Sequence, residues 1–399
     1  MPTPAIAVPQ IPMRCARMTP PPSPSLGRSR GCAIFGSGCL LAFDQFSSNL
    51  RPWRGAMFEP GFTITPKLLA SIKQIALLAA ELNRRPVLPP VLAELGQRAV
   101  TLSAHTSTRI EGNRIPLTEV KKLLKARPGR LKQSEREVVN YNDSLLALHR
   151  KLEQGPLDLT VRRILEIHKG VMTGLLEPYH CGRFRSEPPV VNDPRSGEVV
   201  YLAPDHKDVG PLVRDLVAFV ARGRGELDPV ILAGLFHKQL VLIHPFTDGN
   251  GRTSRLATTV LLAELGIRIF RLFSFEGYYD RNLTRYFSTV GETGDYYDLR
   301  RTVDFTPWLE FFAAGIVDEL VRVGNDLHRA ATSPATEIQV HHRSILDHIK
   351  AHGFITDRQY SKLTERAKAT RALDFARLIE WGLIERHGRG RTTHYKLKE

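Results

Sequence analysis

The stretch Leu240–Arg255, LVLIHPFTDGNGRTSR, constrains this chain more than any other. An apolar run leads straight into a histidine, a carboxylate, a glycine-flanked turn and two arginines, and a second apolar run, Leu256–Leu265, follows. That order reads as helix, loop and helix, the second helix stopping at Gly266. The loop then sits at a helix N-terminus, where orphan amide donors and the positive end of the macrodipole favour phosphate. His244 is the right residue type to accept a proton near neutral pH, and Asp248 to hold a hard metal ion. Gly249, Asn250 and Gly251 can bring bare backbone N–H groups against an anion. Arg252 and Arg255 offer planar forks for further phosphates.

This string resembles the signature of Fic-family proteins, H-P-F-x-[DE]-G-N-G-R-x-x-R, and all nine specified positions are present. The resemblance implies a mainly α fold, a Fic-type helical bundle with a short β-hairpin flap, and the family's usual reaction, AMPylation. His244 would deprotonate a Tyr, Thr or Ser hydroxyl of a protein target, or of the chain itself, for attack on ATP. Asp248 would hold Mg²⁺, Gly249–Gly251 the α- and β-phosphates, and Arg252 and Arg255 the terminal phosphates. The resemblance also carries Tyr286 to the neighbourhood of the nucleotide base. A branch of the family that phosphorylates instead has lysine at the position of Gly251, so AMP transfer is the expectation here.

Upstream lies Ser107-Thr108-Arg109-Ile110-Glu111-Gly112-Asn113. Ser107 and Glu111 share one helical face, and Gly112 is placed to end the helix. This resembles the inhibitory motif of Fic proteins, [ST]-x-x-x-E-[GN]. It implies that Glu111 reaches Arg255 and takes the fork that the γ-phosphate needs. Two alternatives stay open. Glu111 can instead align a water that removes AMP from a modified target, or the chain is a DNA-binding transcription regulator with a nucleotide-sensing core.

The rest of the chain organises around that core. Residues 1–56 are Pro-, Ser- and Gly-rich, with six arginines and one acid, and read as a disordered leader or an over-extended start before Met57. Their longest apolar run, Cys32–Phe43, is too short to span a bilayer. No membrane partner is expected. Cys181 is the one cysteine beyond the leader, which points to a reducing, cytoplasmic setting. The net charge of +15 suits an acidic partner and says nothing of fold. Helical periodicity over Thr65–Leu82 and Val91–Arg109 marks an N-terminal associated region, 57–130, ahead of a catalytic core, 131–329. Within that core His168 reads as a satisfied core histidine, and His237, on the helix before the motif, as packing or support for the site. The sequence Gly182–Pro204 turns to β chemistry, with strands at Pro189–Val191 and Glu198–Leu202 around the turn Asn192–Gly197. Fic proteins carry such a flap, whose edge can take an extended target segment by strand addition, so Val199, Val200 and Tyr201 are expected to dock the target. The aromatics Phe275, Tyr278, Tyr279, Tyr286 and Phe287 either wall an adenine pocket or fill the core. After a linker, 330–340, residues 341–399 resemble a winged helix-turn-helix. Thirteen Lys/Arg against seven Asp/Glu give that tail a net +6, which suits DNA, while docking or dimerisation is the alternative.

Overall fold

The structure is a computed structural model, and it describes residues 57–85, 87–187, 190–192, 199–267, 270–331 and 339–398. The leader expected over 1–56, the turn 193–198 and the linker segment 332–338 lie outside the described residues.

Helix α1, Pro66–Arg84, starts on Thr65, whose side chain accepts from the Leu68 amide. It is followed by α2, Pro89–Ile110, with proline in its first turn, where a missing N–H costs nothing. At the end of α2 Gly112 takes φ +89°. The amides of Gly112 and Asn113 reach back to the carbonyls of Arg109 and Thr108, at 2.9 and 3.1 Å. That glycine-ended closure fixes the direction of Glu111. Helices α3, Leu117–Lys125, α4, Gln133–Glu153, and α5, Val161–Met172, complete the first half.

Strands β1, Val190–Asn192, and β2, Val199–Leu202, pair antiparallel, with Val191 opposite Tyr201. Helix α6, His206–Gly223, leads to α7, Pro229–Ile243. Thirteen of the fifteen residues of α7 are buried, so this helix, apolar apart from His237, Lys238 and Gln239, is the axis of the fold. Helix α8, Asn250–Leu262, packs along it and is equally enclosed. Short helices α9, Glu276–Arg281, and α10, Leu283–Val290, precede a two-residue strand β3, Gly294–Asp295. Strand β3 pairs parallel to β2, at Tyr201 and Leu202. No local pattern marks β3, which is two residues long and carries no alternation. The turn α11, Tyr296–Leu299, and the long α12, Thr306–Ala331, close the bundle, α12 lying against α1.

One core runs from Leu68 to Leu327, so the stretches 57–130 and 131–329 fold around common contacts. A second core is separate: Ile345, Ile349, Ile355, Tyr360, Phe375, Leu378, Trp381 and Ile384. It is built by α13, Val340–His352, α14, Asp357–Tyr360, α15, Lys368–Glu380, and the hairpin of β4, Ile384–His387, with β5, His394–Leu397. The chain is thus mainly α with one small hairpin in each part. No helix among the described residues is long and apolar enough to cross a membrane.

Candidate active site

Helix α7 must stop at His244 because Pro245 follows, and the residue before a proline is driven out of helical geometry. His244 takes φ +49°, the one non-glycine positive φ among the described residues. A left-handed conformation at such a residue marks a position held by its surroundings. Arg185 supplies much of that hold. This buried side chain donates from Nε to the His244 carbonyl at 2.8 Å and from Nη1 to the Glu187 carbonyl at 3.0 Å. Its Nη2 donates to the Pro204 carbonyl, and its backbone amide to that of Pro245. One guanidinium therefore ties both feet of the β1–β2 hairpin to the histidine. On the imidazole, Nδ1 faces the Val241 carbonyl at 3.3 Å. That contact favours the tautomer with the proton on Nδ1 and a lone pair on Nε2. Burial, with the Arg185 cation beside it, pulls the imidazole down to about 4. The ring is neutral at physiological pH.

The loop after His244 is closed from two sides. The Asn250 side chain accepts from the Phe246 amide at 2.9 Å and donates to the Phe246 carbonyl at 2.8 Å. His168, fully buried, stacks on the Phe246 ring at 3.8 Å with 4° between planes. Its Nδ1 accepts from the Gly182 amide at 2.9 Å, so Nε2 carries the proton and donates to the Asp248 carbonyl at 3.1 Å. His168 is a satisfied core histidine, as expected, and it also supports the loop. Gly249 takes φ +77°, and a Cβ there would lie 2.5 Å from the Met172 sulfur. Only glycine fits.

Helix α8 begins immediately after. Its first internal bond is from the Thr253 amide to the Gly249 carbonyl, at 2.9 Å. The amides of Asn250, Gly251 and Arg252 come ahead of that ladder. The side chain of Asn250, by contrast, is spent on the loop and is not available to a ligand. The Asp248 Oδ1 accepts from the Gly249 amide and from Arg252 Nη2, the latter at 3.3 Å. Arg252 is 4% exposed, and its Nε and Nη1 are buried without a hydrogen-bond partner. Unsatisfied buried N–H donors are costly, and donors left so at a helix start mark a place for an anion.

One turn further, Arg255 is held by α2. Its Nε donates to Ser107 Oγ at 2.8 Å, and its Nη2 to the Ser107 carbonyl at 2.9 Å and to Glu111 Oε1 at 2.8 Å. Glu111 thus meets the motif arginine, as the upstream resemblance implied, and Ser107 meets it as well. Glu111 comes this close because Gly251 has no side chain: a Cβ there would stand 2.2 Å from Oε1. Burial alone would weaken the Arg255 cation. The Tyr286 phenol and the Glu111 carboxylate outweigh it and hold the pKa above the ordinary arginine value.

Tyr286 is a correction. It does not face a base pocket: it is 2% exposed, its hydroxyl accepts from Arg255 Nη1 at 3.3 Å, and its ring stacks on Tyr279. Phe275 and Tyr279 belong to the same packed cluster, where the cavity against Arg255 is about 10 Å³, room for no adenine. His237, buried in that cluster between Thr258 and the Tyr286 hydroxyl and lowered by burial to about 3, plays the supporting part expected. Tyr201 is a second correction. Its side chain is buried and donates to the Leu242 carbonyl at 2.8 Å, and β3 covers β2 at that point. Val200 is half-buried, and the side chain of Val199 lies outside the described residues. The outer strand of the hairpin is β1, not β2.

Sequence reading missed Arg185 and the buried carboxylate of Glu276, which accepts from Ser103 on α2 at 2.9 Å and from the Tyr141 hydroxyl on α4. Both lie far along the chain from their partners and outside any recognised pattern.

Residues 158–262 match a family model described as the Fic/DOC family. A protein adenylyltransferase Fic of Nematostella vectensis is 32% identical over 183 residues, 44% of this chain and 40% of the relative. The chain thus spans less than half the length of the curated relatives it matches. Among solved structures, a Fic family protein from Desulfovibrio desulfuricans G20 superposes with TM-score 0.57 at 21% identity, covering 86% of this chain and 98% of the other. A Fic-domain-containing signaling protein from Bacteroides thetaiotaomicron gives 0.54 at 22% identity, over 65% and 98%. These likenesses establish the fold.

Proposed function

We propose that this chain, a Fic/DOC-family protein by its matched domain, is a protein adenylyltransferase that moves AMP from ATP to a hydroxyl side chain. One observation carries the reading: the His244 imidazole lies close enough to feel the Asp248 charge, and Asp248 in turn meets Arg252, whose Nε and Nη1 are buried without a hydrogen-bond partner. His244 Nε2 takes the proton of a Tyr, Thr or Ser hydroxyl, the freed oxygen bonds to the α-phosphorus, and the bond to pyrophosphate breaks. Arg252 and the leading amides of α8 stabilise the phosphate charge. Mg²⁺ fits the donor set, because Asp248 keeps Oδ2 free of hydrogen bonds and is about half exposed. A bound ion would neutralise phosphate oxygens there, with Asp248 as its protein ligand.

Glu111 restrains the reaction. Its carboxylate occupies Arg255 Nη2, a donor the γ-phosphate would use. Pairing across a nearly buried guanidinium is stronger than at a surface. We expect Glu111→Gly to raise incorporation of labelled AMP into the chain or its target at least tenfold. Equal labelling of parent and variant removes the restraint; no labelling by either, with magnesium and ATP present, removes the activity. Release of AMP from a pre-modified protein, lost in Glu111→Gly, supports the reverse reaction instead.

The tail of α13–α15 and β4–β5 fits a winged helix-turn-helix. Its candidate recognition helix, α15, exposes the cations Lys368 and Arg377 together with Ala369, Ala372, Leu373 and Ala376. That mixed face suits either DNA or contact with protein, including a second copy. Gel-shift titration of the full chain against DNA distinguishes the two. A reducing, cytoplasmic setting suits Cys181, the one cysteine among the described residues and a free thiol.

A further inference from the structure

The C-terminal module holds a cluster of ligating groups that the proposed reaction does not use. His341 and His342, at the start of α13, both turn Nε2 toward Oδ1 of Asp374 on α15, at 3.4 and 3.8 Å. The three atoms lie within 4.8 Å of one another. Neither imidazole makes a hydrogen bond among the described residues. His342 is 5% exposed, and its Nδ1 is buried without a partner. A buried imidazole with no satisfied nitrogen is an expensive arrangement.

The carboxylate, in contrast, is firmly held. Arg366 donates to both its oxygens, at 2.9 and 3.1 Å, and the Tyr360 hydroxyl donates to Oδ2 at 2.8 Å. These three bonds leave Oδ1 with one acceptor position, on the side where the histidines stand. Supporting bonds of this kind orient carboxylates that bind metals.

We infer that His341, His342 and Asp374 form a binding site for a zinc-type divalent cation that pins α13 to α15. Zinc takes nitrogen and oxygen ligands at about 2.0–2.1 Å, which in a tetrahedron places ligand atoms roughly 3.3 Å apart. Two of the three separations here are near that value, and the third, between the two imidazoles, is no more than 4.8 Å, beside a partly exposed His341 ring. Two imidazoles and one carboxylate leave the fourth position to water, on the open His341 side. Mg²⁺ does not match this set, because it prefers an oxygen octahedron. The Arg366 cation opposes a dication, so the affinity expected is micromolar, not that of a closed structural site.

The test uses the full chain carrying His244→Ala, which removes the motif imidazole from the core. Titration with Co²⁺ should give about one equivalent with the intense visible absorption of a tetrahedral site, and Zn²⁺ should displace it. His341→Gln, at a partly exposed ring, and His342→Gln should each weaken binding at least tenfold, with the circular dichroism spectrum unchanged. Zn²⁺ should raise the melting temperature of the parent and not of the His341→Gln protein. Co²⁺ spectra that are the same with and without His341, or the absence of any tetrahedral spectrum, overturn the site. Neither result bears on AMP transfer, which is read with His244 intact.

Discussion

In the proposed reaction His244 is a base whose basicity has been traded for readiness. With its pKa near 4, it is neutral throughout the physiological range. The acid limb of the labelling rate in Glu111→Gly is therefore expected near pH 4, not near the ordinary histidine value of about 6.5. Arg185 is one cause of that depression and fixes the carbonyl of the same residue. Replacing Arg185 by Met should lower the turnover rate on the order of 10- to 100-fold and move the acid limb upward. An unchanged profile would show that the cation does not act on the imidazole. The residues of the 244–255 loop were legible because their spacing is contiguous and each has one chemical use. Arg185 was not, since an arginine that serves backbone carbonyls 59 positions away leaves no local pattern. Tyr286 misled for a related reason: an aromatic beside a nucleotide motif looks the same in sequence whether it faces a ligand or the underside of an arginine.

At the scale of elements, helix periodicity located α1 and α2 within about two residues at each end, and the apolar run before His244 marked α7. What periodicity did not give was the order of the small sheet. The hairpin was readable from its turn, yet the placement of β3 beside β2 depends on a two-residue pairing that only the packed bundle creates. The loop between α7 and α8 is an element in its own right, closed by Asn250. Asn250→Ala removes both bonds to the Phe246 peptide and leaves a buried amide and carbonyl unpaired. A loss of about 2–4 kcal/mol is expected by urea unfolding, with labelling activity falling alongside. Asn250→Asp, which keeps the accepting oxygen, should recover part of the stability. Equal stability of the alanine variant and the parent would contradict the closure described here.

For the whole molecule, buried neutral histidines set the response to acid. His149 and His237 are lowered by burial, to about 4 and about 3. In the unfolded chain both return to about 6.5, so between these values the unfolded state binds protons that the folded state refuses. Their stabilising contribution is complete above about pH 6.5 and is lost as the pH falls toward 4, reaching about 2–3 kcal/mol for each ring at pH 4.5. Urea midpoints should fall over that interval, and His149→Gln should flatten the fall. The separate C-terminal core carries such a ring as well, His342, lowered by burial to about 4, so both parts of the chain should weaken in the same interval. Helix α2 imposes a different kind of limit. It carries Glu111 at one end, while Val91, Leu95, Val100 and Ala104 are seated in the main core along its length. Withdrawing the whole helix would tear open that core, at a cost comparable to the stability of the domain. Freeing Arg255 is left to a rotation of one carboxylate or the fraying of one terminal turn, a change small and quick enough that the folded body need not register it.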